Sequence, residues 1–82
     1  MLITWDEPKR LANIDKHGLD FAGLTIDFFL EAVVVPAKAG RHMAISRLED
    51  GTVAVVFVTL GTEALSVISM RPASKAERRL LR

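Results

Sequence analysis

Cysteine and tyrosine are both missing from this 82-residue chain. Without cysteine there is no disulfide framework and no thiolate metal site, so nothing of that kind staples a domain near the small end of what folds alone. The same absence fits a reducing cytoplasm. Long hydrophobic runs are lacking as well. The longest mostly apolar stretch, residues 53–60, is far too short to cross a bilayer. The first five residues run straight into charged ones, without the basic-then-apolar order of a signal peptide. There is no internal repeat, low-complexity tract or linker. These absences predict a single domain over residues 1–82, soluble and cytoplasmic, with no membrane association. Ordinary burial must build it, and half of the residues are apolar.

Charge is nearly balanced in total, at +1, but not along the chain. Residues 1–35 hold six acidic and three basic side chains, a balance of −3. Residues 36–82 hold eight basic and four acidic ones, a balance of +4. The C-terminal stretch carries Arg71, Lys75, Arg78, Arg79 and Arg82 against Glu77 alone. Such asymmetry suits an anionic ligand on one side of the molecule, or else a solvated terminal helix.

Residues 2–4 can form a short strand. A helix follows Asp6, a suitable N-cap, with Glu7 and Pro8 in the first turn, where proline is tolerated. Leu11 and Ile14 give it a narrow apolar stripe, and Gly18 is a natural stop. Asp20 reads as the cap of a second helix with Phe21, Leu24, Thr25 and Phe28 on one face. After Glu31 the pattern turns extended: a strand over 33–35 ending at Pro36, a loop over 37–40, then a segment over 41–48. Alternation in that segment places Arg41, Met43, Ile45 and Arg47 on one face and His42, Ala44, Ser46 and Leu48 on the other. Asp50-Gly51 is a two-residue hairpin signal. The strand over 52–60 is apolar on both faces, which predicts a central position. Gly61-Thr62 marks another turn, residues 64–70 a further strand, and Ser74 with Glu77 the capping box of a short last helix. The sum is α+β in the order β-α-α-β-β-β-β-α. It predicts a small antiparallel meander sheet of about four strands, with helices on one face. An apolar sheet face left partly open would invite a partner.

Four segments resemble the BrnT family, ribonuclease toxins of type II toxin–antitoxin systems. The first is W-D-x-x-K-x-x-x-N-x-x-K-H-G-x-x-F, matched by Trp5, Asp6, Lys9, Asn13, Lys16, His17, Gly18 and Phe21. The second is Arg41 leading a strand with the D-G turn after it, and the third is the apolar strand over 53–58. The fourth is I-S-M-R-P-A-S-K-A-E-R at residues 68–78, similar to the family ending I-S-x-R-x-A-x-x-x-E-R. The chain departs from the family pattern at Ser46, where a glycine is usual, and at Ser66, in the run that usually carries a basic residue. Pro72 after Arg71 is also unusual, and Leu80-Leu81 stand where the family often has a tyrosine. The resemblance implies a RelE-like fold, metal-independent RNA cleavage without a cofactor, and neutralisation by a BrnA-type antitoxin. It also implies a DNA contact made only indirectly, through the antitoxin, and a possible homodimer.

Metal-free RNA cleavage proceeds by attack of the 2′-OH on the adjacent phosphate. It needs a base, an acid for the leaving 5′-oxygen, and cations around the transition state. Arg41 and Arg71 are candidate phosphate clamps, because guanidinium offers a bidentate fork. Lys16 and His17 are candidate catalytic groups, histidine being the side chain whose ordinary titration lies near neutrality. Lys75, Arg78 and Arg79 are candidate RNA-binding cations. No metal site is expected. Each assignment has a plainer alternative: surface arginines, a K-H-G helix terminus that complements the dipole, and a solvated final helix. Glu77 reads as a cap, Trp5 as core, and Asp6 and Asn13 as a cap and a polar tie. A non-catalytic regulatory protein that binds nucleic acid or a protein partner is the alternative function. No helix-turn-helix or ribbon-helix-helix pattern supports a stand-alone DNA repressor.

Overall fold

A computed structural model describes residues 1–49 and 51–81. Five strands form one mixed sheet, where about four antiparallel strands were expected. The strands are β1 (Leu2–Trp5), β2 (Val33–Pro36), β3 (His42–Leu48), β4 (Gly51–Leu60) and β5 (Ala64–Pro72), in the spatial order β1-β5-β4-β3-β2. The helices are α1 (Glu7–His17), α2 (Ile26–Glu31) and α3 (Lys75–Arg79), with 3-10 turns at Phe21–Gly23 and Lys38–Gly40. Those two turns also make the element order differ from the expected one. β4 is central, as its two-sided apolar pattern predicts.

The unexpected pairing is β1 with β5, which run parallel and place Ile3 opposite Leu65 and Trp5 opposite Val67. A parallel partner 62 residues away leaves no local turn signal, so the strand expected over residues 2–4 carried no sign of its partner. β1 ends at Trp5, and α1 continues beside the remainder of β5.

The main core lies between the sheet and the segment from α1 to α2. Phe21, Phe28, Val55, Val67 and Met70 are buried there, with Trp5 packed edge-on to Phe21 at 6.4 Å between ring centres. A smaller cluster of Ile45, Ala54 and Ala73 lies on the opposite sheet face, where Leu81 covers it. The last helix is therefore not on the same face as the other two. The role of Leu81 here is packing.

Two helix expectations change. The second helix does not begin at Asp20, whose carboxylate accepts from Ala22 N and caps only a 3-10 turn. Gly23 weakens helix continuation, and the Thr25 hydroxyl accepts from Phe28 N at 3.3 Å to start α2 afresh. In α1 the apolar stripe is not what packs, because Leu11 is 54% exposed while Asn13 is 7% exposed. The Asn13 amide donates to Leu19 O at 2.9 Å and accepts from Met70 N at 3.0 Å. It ties α1 both to the following loop and to the edge of β5. Asp6 makes no side-chain cap bond; Pro8 has no N–H to donate, and Lys9 N donates to the Asp6 carbonyl instead. Gly18 ends the helix in the left-handed region, at φ 69°. The Asp50-Gly51 turn falls partly on Asp50, outside the described residues; Gly51 already pairs with Leu48.

Candidate functional site

β5 is the element that carries the site. Its pairing with β4 shifts between Val56↔Ser69 and Phe57↔Val67, so Ile68 is an inserted bulge residue. The bulge lets Val67 and Met70, three apart, both enter the main core. It also leaves Ile68 and Ser69 lining a cleft against α1.

That cleft has a volume of about 230 Å³ and is lined on the helix side by Lys9, Ala12, Asn13, Lys16 and His17. Lys16 and His17 lie in the last turn of α1, so the structure brings these two predicted residues together in one concavity. Lys9 joins them, which sequence reasoning did not single out as functional. The signal was legible: residues 9 and 16 are seven apart, two helical turns, and share a face. Among the described residues no carboxylate lines the cleft. Two of the acids near α1, Glu7 and Asp20, are gathered elsewhere. Arg10 bonds Glu7 at 2.7 and 2.8 Å and Asp20 at 3.1 Å. The Arg10 guanidinium, with help from the Trp5 indole N–H, holds the Glu7 carboxyl down at about 2.

Arg71 lies two residues beyond Ser69, in a cross-strand row with Ala54 and Ile45. Its guanidinium donates to both Glu77 oxygens, at 2.7 and 2.8 Å, and touches the Met43 sulfur at 3.8 Å. Glu77 in turn completes the capping box of α3, accepting from Ser74 N at 2.8 Å while the Ser74 hydroxyl accepts from Glu77 N. Arg71 holds the Glu77 carboxyl down at about 2, far below its usual 4.5. The reverse effect raises the Arg71 titration further above neutrality. Glu77 is thus a cap, as its spacing predicts, and also the partner of a predicted clamp. Their separation of six residues fits neither a helix nor a strand rule, and sequence reasoning missed the pair.

Arg41 is not gathered with Arg71. It stands just before β3, exposed, with extended backbone closing the 3-10 turn through Arg41 N to Lys38 O. Strand alternation puts it on the Met43 side of the sheet, the face that also carries Arg71. Four residues along β3 and two strands across separate the two Cα atoms by on the order of 16 Å. On α3, Lys75 and Arg79 are exposed, and Arg78 donates to Ala73 O at 3.0 Å. His42 is on the other face, tilted against Phe57 with ring centres 5.8 Å apart. Its Nδ1 is buried without a hydrogen-bond partner among the described residues.

Residues 5–77 match the family model described as "Ribonuclease toxin, BrnT, of type II toxin-antitoxin system". The 1.1 Å crystal structure of the Brucella abortus ribonuclease toxin, BrnT, is similar with a TM-score of 0.85. Identity is 59% over 92% of this chain and 99% of that one. No curated protein matches. The five-stranded mixed sheet with its three helices matches that structure, and the chain belongs to the BrnT family of ribonuclease toxins of type II toxin–antitoxin systems.

Proposed function

We propose that this chain is a metal-independent endoribonuclease whose site straddles β5. Arg71 stands on one side, and the cleft of Lys16 and His17 on the other. One observation carries the reading. Ser69 lines the cationic cleft and Arg71 follows two residues later, roughly 7 Å along β5, so one strand carries both groups of candidates at neighbouring positions.

In this scheme Arg71 and Lys16 stabilise the charge that grows on the phosphate oxygens, and His17 moves the proton. Arg41 approaches from the same sheet face, and Lys75, Arg78 and Arg79 on α3 supply further contacts to the RNA backbone. The metal-free route is part of the same proposal and rests on the family resemblance. The family supports an antitoxin partner, of BrnA type in our reading, with DNA reached only through it. A homodimer and a cytoplasmic location are part of the same proposal.

One observation favours the alternative of a non-catalytic binding protein. Arg71 is already neutralised by Glu77, a fork-to-fork contact that a phosphate has to displace or share. Induced expression in a bacterial host separates the two readings. A toxin arrests growth, and co-expression of the neighbouring small antitoxin gene relieves it. A binder leaves growth unchanged in both cases.

A further inference from the structure

The cleft beside α1 is longer than a single phosphate needs. Lys16 and His17 sit at its C-terminal end, and Lys9 sits two turns earlier, roughly 10 Å along the helix axis. Between the two lysines the wall is Ala12 and Asn13. Ala12 is small, and the Asn13 amide is turned inward to Leu19 O and Met70 N. The helix side of the groove is thus low in the middle and cationic at both ends.

Arg10, the other base of this helix, is tied up by Glu7 and Asp20, whereas neither Lys9 nor Lys16 makes an ion pair among the described residues. Two ammonium groups held apart on one helix, facing a groove with no carboxylate among its described lining residues, are suited to two separate anions. A single phosphate would leave one of them bare.

We propose that Lys9 binds the backbone phosphate next to the scissile one, so that the groove along α1 is a subsite for a single RNA strand at least one nucleotide longer than the minimal dinucleotide. This rests on the ribonuclease reading, since it takes the Lys16–His17 end as the scissile position. Lys9 then contributes to substrate length preference and positioning.

The test compares a dinucleoside monophosphate, which holds only the scissile phosphate, with trinucleotides extended by one phosphate on either side. The wild-type protein is expected to cleave one trinucleotide with a kcat/KM about tenfold higher than the dinucleotide. Lys9→Ala removes most of that ratio, and Lys9→Arg restores it. Lys9 is exposed, so the variant is expected to keep the wild-type circular dichroism spectrum and unfolding curve. An equal loss on both substrate lengths would place Lys9 at the scissile phosphate and overturn the subsite. No loss on either would overturn it too.

Failure of the ribonuclease reading has a different signature, namely no cleavage by the wild-type protein. In that event the subsite is read from binding of a 2′-O-methyl oligonucleotide. Lys9→Ala is expected to reduce the slope of log affinity against log salt by about 1, and an unchanged slope would overturn the proposal.

Discussion

Arg71 and Glu77 are joined end to end by hydrogen bonds of 2.7 and 2.8 Å, and the same carboxylate caps α3 through Ser74 N. One residue therefore sets both the orientation of a phosphate-clamp candidate and the start of the last helix.

Acid sensitivity follows from this pair. The Glu77 carboxyl is held at about 2 against its usual 4.5, so it binds a proton less readily folded than unfolded. Its stabilisation is complete above about 4.5 and is lost as pH falls toward 2. Glu7 is depressed into the same window, so total acid lability does not isolate the pair. The difference between wild type and Glu77→Gln does. Urea unfolding at neutral pH should show the variant weaker by about 1 kcal/mol or less, the pair being partly screened by solvent. That difference should shrink as pH falls toward 3; a constant difference would contradict the assignment.

Asn13 predicts a larger effect. Asn13→Ala leaves Met70 N without its acceptor at the edge of β5 and frees Leu19 O. Burial without a partner costs about 1–3 kcal/mol per group, so urea unfolding should show a loss of about 2 kcal/mol. A loss under 0.5 kcal/mol, on the scale of an ordinary surface change, would mean that Asn13 is not the tie between helix and sheet.

His17 predicts a kinetic effect with little change in stability. Replacing a proton-transfer group lowers turnover by about 10²–10⁴-fold, and His17→Ala should also flatten one limb of the pH–rate profile. If His17 only caps α1, the unfolding curve shifts and the profile keeps its shape.

Local signals made much of this fold legible. The Gly18 stop, the Ser74–Glu77 box and the central position of β4 follow from turn chemistry and apolar patterning. What stayed hidden is non-local or depends on competition between near-equal options. The partner of β1 is set by a parallel pairing across the whole chain. Asp20 and Thr25 are both good caps, and Gly23 between them decided that each starts its own turn. Of the candidate site, the K-H-G end of α1 was legible from the motif. The cleft that unites Lys16 and His17 with Lys9 depends on the Ile68 bulge, which nothing in the local sequence marks. The Arg71–Glu77 pair bridges a strand and a helix, so no periodicity could announce it.

The central claim is best tested by incubating purified protein with RNA in the presence of EDTA, alongside Arg71→Ala and His17→Ala. The site described here predicts cleavage by the wild type that chelation does not stop, leaving 2′,3′-cyclic phosphate ends. It predicts a loss of at least about 100-fold in each variant, the scale of removing one transition-state contact or one proton-transfer group. Cleavage abolished by EDTA, or cleavage undiminished in both variants, would contradict it.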